Sequence, residues 1–251
     1  MISPLLEAED LHKTFGHLAA VAGVSLTLTP GTLTAIIGPN GAGKTTLINL
    51  LTGLLLPDAG TIRFKGRDIT RLPPHGRVRL GVSRSFQIMT IFPGLTVQQN
   101  LLLATLSRHR MNARPLRRLE SAREANDEAD ELLREIGLWG HRDLRAATLS
   151  HGDQRLLELG IAVATQPELC FLDEPCAGMN PIERRAVLGL MRTLAGQQRT
   201  TFVVIEHDMD VVFALAQRIV VMNYGQILAD GAPAEIRENQ SVREIYLGVE
   251  V

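Results

Sequence analysis

The sequence predicts an α/β protein with a central parallel sheet, a portion of antiparallel strands and an inserted helical region. Short apolar runs rich in branched side chains, typical of strands covered on both faces, occur at residues 36–37, 169–172, 201–205 and 219–222. A helix is predicted between the second and third runs, where Asn180 suits the cap, Pro181 suits the first turn and residues 182–195 continue until Gly196. Strands that alternate with helices favour a parallel sheet.

Two segments near the N-terminus alternate apolar and polar residues instead. They span residues 5–15 and 24–29, with Gly16 and Gly23 between them, and residues 61–64 add a further short segment. Such alternation predicts antiparallel strands with one face in water.

Residues 95–158 contain almost no β-branched run and predict helices. Thr96 and Gln99 form a capping-box pattern ahead of a leucine run, and residues 120–136 predict a charged amphipathic helix that ends at Gly137. We therefore predict one domain over residues 1–251. Residues 1–94 and 159–251 would form its core together with the antiparallel strands, and residues 95–158 would form a helical subdomain.

The composition indicates an ordinary globular protein. Of the 251 residues, 45% are apolar and 21% charged, and the formal net charge of −1 gives no basic field that would attract nucleic acid. The longest apolar stretch, residues 47–56, is interrupted by polar residues and is shorter than the roughly 18 residues of a membrane span. Because the N-terminus also lacks the pattern of a signal peptide, we expect a cytosolic protein whose membrane role is peripheral.

Cys170 and Cys176 lie in or beside an apolar strand, so we expect reduced, buried thiols rather than a disulfide. The histidines have no metal-ligand spacing with one another or with cysteine, and a zinc site is not predicted. One basic cluster stands out, and it fits either a solvated face or a contact with an acidic partner or lipid headgroups. Its members are Arg108, Arg110, Arg114, Arg117, Arg118 and Arg123.

A phosphate-binding loop is predicted directly after the apolar residues 34–37. Its residues spell G-x-x-x-x-G-K-T, and we call residues 38–45 the phosphate loop: Gly38, Pro39, Asn40, Gly41, Ala42, Gly43, Lys44 and Thr45. Backbone N–H groups of such a loop point at phosphate oxygens, Lys44 reaches the β and γ phosphates, and the Thr45 hydroxyl is a ligand for Mg²⁺. Thr46 begins a leucine-rich helical run over residues 46–56, whose positive dipole end faces the same anions.

Acidic and polar side chains follow other buried strands and point to hydrolysis of the bound nucleotide. Asp173 ends one strand, where it is placed to hold Mg²⁺ through water, and Glu174 is placed to orient and deprotonate the attacking water. His207 follows a second strand at the same edge of the sheet, which favours a contact with the γ-phosphate over an inert histidine. Gln87 leaves a third strand and would sense either Mg²⁺ or the attacking water.

Ser150 and Asp153 form a capping-box pattern at the start of another helix. The same helix start presents a hydroxyl and free N–H groups, which is what anion binding requires. The two interpretations are compatible.

In this order the motifs resemble those of the ATP-binding subunits of ABC transporters, and the resemblance covers essentially the whole chain. The matches are the phosphate loop with the family's Walker A, Gln87 with its Q-loop, L-S-H-G-D-Q at residues 149–154 with its signature, L-C-F-L-D-E at residues 169–174 with its Walker B, residues 176–181 with its D-loop, and His207 with its H-loop. The resemblance implies a P-loop NTPase core of the RecA-like type, with ATP and Mg²⁺ as cofactors. It also implies that Phe15 stacks on adenine, although Phe15 taken alone fits a plain core aromatic.

The chain has one phosphate loop and one signature segment, and in the family these face each other across a head-to-tail dimer. The resemblance therefore implies that ATP lies between Lys44 of one subunit and Ser150 and Gly152 of the other. ATP would close this dimer, and hydrolysis would reopen it.

Three residues depart from the family pattern. His151 replaces the first glycine of the usual L-S-G-G-Q signature, Asp153 stands where glutamine is usual, and Asn180 replaces the usual D-loop aspartate. If Asp153 faced the γ-phosphate, like-charge repulsion would weaken closure by ATP, whereas an Asp153 turned back into the cap would not.

Finer features resemble the importer ATPases for branched-chain amino acids and for urea or short amides. These features are residues 81–87, the insertion after Leu106, residues 173–181 and the closing residues 231–248. The resemblance implies two transmembrane permease subunits, a second ATPase subunit that is the same or a paralogous chain, an extracytoplasmic solute-binding protein acting indirectly, and a position at the cytoplasmic face of the membrane. The substrate is not encoded here, because other subunits select it.

Three alternatives remain. A lipopolysaccharide-export ATPase has a similar tail but a shorter insertion and the ordinary signature. A soluble ABC ATPase acting on ribosomes or DNA would usually carry two cassettes or a long coiled coil. A nucleotide-binding module without hydrolysis would be unaffected by Glu174→Gln.

Overall fold

The computed structural model describes residues 3–84, 91–108, 118–197 and 199–247, without the side chains of residues 118–122, 246 and 247. The predicted Q-loop residue Gln87 and three of the six arginines in the cluster, Arg110, Arg114 and Arg117, lie outside the described residues. Among the helices described, none is long and apolar enough to cross a membrane.

The secondary structure alternates strands and helices over most of the chain. The strands are β1 (Leu6–Phe15), β2 (Leu18–Leu28), β3 (Thr34–Ile37), β4 (Ala59–Phe64), β5 (Arg67–Asp68), β6 (Val82–Arg84), β7 (Leu169–Asp173), β8 (Thr201–Ile205), β9 (Arg218–Asn223) and β10 (Gln226–Gly231). The helices are α1 (Lys44–Thr52), α2 (Pro74–Arg79), α3 (Val97–Arg108), α4 (Arg118–Glu135), α5 (His151–Ala164), α6 (Pro181–Gly196), α7 (Met209–Leu215), α8 (Pro233–Glu238) and α9 (Gln240–Leu247).

The predicted antiparallel strands form a sheet of order β2-β1-β4-β5. The prediction was wrong about where β2 begins, because this strand already starts at Leu18 and runs through Gly23. Leu11 pairs with Val24 and His12 with Ala22, so Gly23 is the extra residue of a bulge, and its φ of 75° suits glycine. A glycine that the sequence pattern treated as a separator is thus part of the strand.

The four apolar runs form neighbouring strands of a second sheet, with the order β10-β9-β3-β8-β7-β6. β6, β7, β8, β3 and β9 are parallel, and β10 adds an antiparallel edge that pairs with β9. Alternate residues of β8 face opposite cores. Val203 and Ile205 pack with α1 and the antiparallel sheet, whereas Phe202 and Val204 pack with α5 and α6. The predicted coverage of both faces is therefore confirmed.

The helical region between β6 and β7 contains α3, α4 and α5. The capping box ahead of α3 is confirmed, because the Thr96 N–H donates to Gln99 Oε1 at 2.9 Å and the Gln99 N–H to Thr96 Oγ1 at 3.1 Å. α1 is shorter than predicted. It ends at Thr52, not near residue 56, because Gly53 adopts a left-handed φ of 79° that terminates the helix.

Both cysteines are free and buried, and burial raises the pKa of each thiol to about 12. At pH 8 only about one thiol in ten thousand is then a thiolate, the reactive form. We expect the folded protein to show almost no reaction with a disulfide reagent such as dithionitrobenzoate over minutes, and two thiols to react after unfolding without reductant. Rapid reaction of the native protein, or fewer than two thiols after unfolding, would contradict this assignment.

Candidate nucleotide-binding and hydrolysis site

The phosphate loop connects β3 to α1, and Lys44 folds back across it. Lys44 Nζ donates to the carbonyl oxygens of Gly38 at 2.6 Å and Pro39 at 3.0 Å. Burial lowers the pKa of Lys44, and the nearby carboxylates of Glu174 and Asp173 oppose this shift. The ammonium group thus lies between the loop and the two acids that sequence analysis selected.

The backbone at Gly43 brings three segments together. Gly43 caps α1 with a φ of 97°, and a Cβ atom there would lie 2.2 Å from the carbonyl oxygen of Ala20 in β2. The Gly225 N–H, from the turn between β9 and β10, donates to the Ala42 carbonyl at 3.0 Å. The loop is therefore contacted by β2 on one side and by the β9–β10 turn on the other. These contacts fix the start of α1, whose first turn contains Thr45 and Thr46 and whose first N–H groups are free to bind an anion.

Phe15 lies at the end of β1 and is 48% exposed, so it is not the buried core aromatic that the alternative interpretation required. The Lys13 ammonium lies 5.8 Å from the centre of its ring. An exposed aromatic ring offers a face on which a planar base can stack without hydrogen bonds.

Asp173 is buried at the carboxyl end of β7 and takes part in an ion pair that bridges three elements. Arg84 Nη2 in β6 donates to Asp173 Oδ2 at 2.9 Å, and Arg84 Nη1 donates to Asn49 Oδ1 of α1 at 2.5 Å. Arg84 and Asp173 are both almost inaccessible to water. The guanidinium therefore fixes Asp173 relative to the helix that begins with Lys44.

Glu174 and His207 lie next to each other at the carboxyl edge of the parallel sheet. Glu174 Oε1 is 3.4 Å from His207 Nδ1, and both side chains are partly exposed. The Glu174 N–H donates to the Ile205 carbonyl at 3.0 Å, and Glu174 adopts a φ of 47°, which is uncommon for a residue other than glycine. Backbone strain of this kind is frequent at functional sites.

The residues present suit Mg²⁺ only together with a phosphate ligand. Thr45 offers a hydroxyl oxygen and Asp173 a carboxylate oxygen, which are the hard donors that Mg²⁺ prefers. Within the described residues, no group of three or more His, Cys, Asp or Glu side chains is arranged to hold a metal ion. Mg²⁺ is commonly bound through one or two protein ligands plus substrate phosphates, and this donor set fits that mode.

Ser150 and Gly152 contact helix starts rather than the phosphate loop of their own chain. Ser150 caps α5, its Oγ accepting the Asp153 N–H at 3.1 Å. A Cβ atom on Gly152 would lie 2.5 Å from Glu183 Cγ, so only glycine allows α5 to pack on the first turn of α6. The exposed Ser150 stays available to a group outside this chain.

Two of the departures from the family pattern have local explanations. The Asp153 carboxylate lies 3.8 Å from His141 Nδ1 rather than in the helix cap, and its side chain is partly exposed. Asn180 caps α6 in a complete capping box, accepting the N–H groups of Ile182 and Glu183 while Glu183 accepts the Asn180 N–H. An uncharged amide suffices for that cap.

Because the Asp153 carboxylate lies beside His141, we expect Asp153→Gln to change the ATPase rate of the assembled complex by less than tenfold, or about 1.4 kcal/mol in the barrier. Steady-state phosphate release at saturating ATP measures this, with Asp143→Asn, an exposed acid in the same region, as the control. A larger change would mean that Asp153 acts on the phosphate directly.

Sequence reasoning passed over two buried charged residues at this edge, Arg84 and Glu206. Glu206 accepts the Cys176 N–H at 3.2 Å, and burial raises its pKa, which the N–H groups of Cys176 and His207 partly offset. A signal was present in both cases. Arg84 is the last residue of β6, three residues before Gln87, and Glu206 directly follows β8 and precedes His207.

Comparison with known proteins decides the family. The model of the family described as "ABC transporter" matches residues 21–177, and that described as "Branched-chain amino acid ATP-binding cassette transporter" matches residues 226–251. The chain belongs to the ABC transporter family. Like the ATP-binding proteins of that family, it binds and hydrolyses ATP.

Individual relatives match along nearly their full length. The high-affinity branched-chain amino acid transport ATP-binding proteins LivG of Escherichia coli K12 and BraF of Pseudomonas aeruginosa are each 42% identical to this chain, over 99% of both chains. The lipopolysaccharide export ATP-binding protein LptB of Acidithiobacillus ferridurans is 33% identical over 98% of both. The crystal structure of the ADP conformation of MJ1267, an ATP-binding cassette of an ABC transporter, superposes with a TM-score of 0.85 at 33% identity, covering 98% of this chain and 100% of that one.

Proposed function

We propose that this ABC protein is the ATP-hydrolysing subunit of an importer for branched-chain amino acids. The observation that carries the proposal is the 42% identity, over 99% of both chains, to branched-chain amino acid transport ATP-binding proteins. The match of residues 226–251 to a branched-chain amino acid cassette model supports it from the C-terminal segment alone. The lower identity to the lipopolysaccharide export protein makes that alternative weaker.

In this proposal the phosphate loop and Thr46 hold the ATP phosphates, and Phe15 stacks on adenine. Thr45, Asp173 and Gln87 would hold Mg²⁺, and the ion would neutralise charge at the phosphates when bound. Lys44 is held where its ammonium group can exchange the carbonyls of Gly38 and Pro39 for phosphate oxygens.

Glu174 accepts the proton of the attacking water in the same proposal. His207, 3.4 Å from that carboxylate, donates to the γ-phosphate and keeps Glu174 oriented. Both side chains are partly exposed, so water and phosphate can reach the pair from solvent.

Two chains form the working unit in this proposal. Ser150 and Gly152 of one chain approach the ATP held by the other, so each nucleotide is shared. The position of the Asp153 carboxylate, 3.8 Å from His141 Nδ1, supports this arrangement, because a carboxylate directed to His141 would repel the shared phosphate less. We retain residues 95–158 as the helical subdomain and residues 1–94 and 159–251 as the core.

The proposed partners are two membrane permeases, a second ATPase subunit of the same or a paralogous sequence, and a solute-binding protein on the far side of the membrane. The ATPase would lie at the cytoplasmic face. None of these partners is a nucleic acid.

The test is reconstitution of the chain in liposomes with branched-chain amino acid permeases, a second ATPase subunit and a binding protein from the same organism. We expect leucine, isoleucine or valine bound to the binding protein to stimulate ATP hydrolysis and to be taken up. Stimulation by urea or short amides instead would reassign the substrate, and co-purification with ribosomes or DNA without a membrane partner would refute the importer.

A further inference from the structure

Glu206 is a buried carboxylate with no role in the proposed hydrolysis. It follows β8 directly, precedes His207 and is only 2% exposed. Burial of a carboxylate is costly unless hydrogen-bond donors compensate for the lost water. The groups that donate hydrogen bonds to Glu206 therefore show which segments this buried carboxylate holds together.

One donor comes from the turn that follows Glu174. Glu206 Oε1 accepts the Cys176 N–H at 3.2 Å, across 30 residues of sequence. Cys176 belongs to a tight segment, which we call the 175–178 turn, in which the Ala177 N–H donates to the Glu174 carbonyl at 3.1 Å. Glu206 thus holds the turn that leaves Glu174.

A second connection lies on the other side of His207. Arg184 Nη1 of α6 donates to Asp208 Oδ2 at 2.6 Å, while Asp208 Oδ1 caps α7 by accepting the Asp210 N–H at 3.0 Å. The residues immediately before and after His207 therefore both bind the segment that runs from Glu174 into α6.

The same turn also contacts the start of α5. A Cβ atom on Gly178 would lie 3.5 Å from His151 Nε2, and one on Gly152 would collide with Glu183 of α6. The 175–178 turn consequently lies between the helix start that carries Ser150 and the pair formed by Glu174 and His207.

We propose that Glu206 is a positioning residue that, by binding the Cys176 N–H, sets the orientation of Glu174 relative to His207. The inference rests on the proposed role of Glu174 in hydrolysis. A carboxylate is not needed for its charge here. What matters is an acceptor oxygen at the distance that the glutamate side chain spans.

The experiment compares Glu206→Ala with Glu206→Gln in the full-length chain. We expect Glu206→Ala to lower kcat for ATP hydrolysis at least about tenfold while KM stays within about twofold, because binding groups are untouched and the base is misaligned. Glu206→Gln keeps an acceptor oxygen at the same distance from the backbone, so its kcat should be at least about half of the wild-type value.

A matched control separates positioning from general loss of stability. Glu158 of α5 is also buried and pairs with Arg155 at 2.7 Å. We expect Glu158→Ala to lower the unfolding temperature at least as much as Glu206→Ala but to leave kcat within about twofold.

Several outcomes would overturn the inference: a kcat of folded Glu206→Ala within twofold of wild type, a raised KM instead of a lowered kcat, or equal losses in the glutamine and alanine variants. If Glu206→Ala does not fold, Glu206→Asp replaces it, since the shorter side chain keeps the charge but not the reach. An active Glu174→Gln protein would refute the proposed hydrolysis site itself. An inactive Glu174→Gln protein beside a fully active Glu206→Ala protein would refute only the role of Glu206.

Discussion

Glu174→Gln is expected to lower ATP hydrolysis by about 10² to 10⁴-fold, equivalent to about 3 to 5 kcal/mol in the barrier, and to leave ATP binding intact. Glutamine keeps the size of the side chain and can still face His207, but its amide does not accept a proton from water. The phosphate loop and Lys44 are unchanged, so ATP still binds. Without hydrolysis, two chains joined by ATP should stay together.

Phosphate release under saturating ATP measures the rate, and size-exclusion chromatography with ATP and Mg²⁺ measures the trapped dimer. Glu168→Gln is the matched control, because Glu168 directly precedes the same strand at its opposite end and pairs with Lys65 at the surface. We expect it to behave like wild type. A Glu174→Gln protein that hydrolyses ATP within tenfold of the wild-type rate would exclude Glu174 as the base.

Arg77→Leu is expected to lower the free energy of unfolding by about 3 to 5 kcal/mol, because several buried acceptors lose their donor. Arg77 lies in α2, is fully buried, and donates to four carbonyl oxygens: Leu50 at 2.8 Å, Leu51 at 2.7 Å, Leu72 at 2.9 Å and Thr70 at 3.0 Å. Burial lowers its pKa to about 10, so it remains a cation at pH 7.

Two of those carbonyls belong to the last turn of α1, the helix that starts at Lys44. The last carbonyls of a helix have no partner within it, and a cation there also interacts favourably with the helix dipole. Leucine cannot donate, so all four carbonyl oxygens would stay buried and lose the hydrogen bonds that Arg77 donates to them. The decrease in the free energy of unfolding should therefore far exceed that caused by an ordinary surface substitution.

Urea unfolding followed by circular dichroism measures this effect. Arg79→Leu serves as the control, because Arg79 lies on the same helix but is exposed, and its change should stay within about 0.5 kcal/mol. The loss of unfolding free energy for Arg77→Lys should lie between those of the other two variants, since one ammonium group cannot reach all the carbonyls that the planar guanidinium binds. A loss below about 1 kcal/mol for Arg77→Leu would show that water satisfies the carbonyls instead.

Sequence reasoning was most successful where the determining interactions are local. The turn between β3 and α1, the capping box at Thr96, the helix cap at Asn180 and the apolar runs of the parallel sheet depend on residues within a few positions of one another. It was less successful at the edges of elements. The alternation of β2 is interrupted by a bulge at Gly23, and α1 ends where Gly53 turns left-handed.

The sequence by itself determined the family, the phosphate loop and the candidate hydrolytic residues, because each depends on a short string of residue types. Only the tertiary structure decided which charges meet. Arg84 reaches Asp173 across 89 residues and Asn49 across 35, and Glu206 reaches Cys176 across 30. The direction of the Asp153 carboxylate, which the sequence left open, is toward His141. The physical reason is that such pairs form when parallel strands bring their carboxyl ends to one edge and helices pack beside them, and no local pattern specifies which distant partner a buried charge will find.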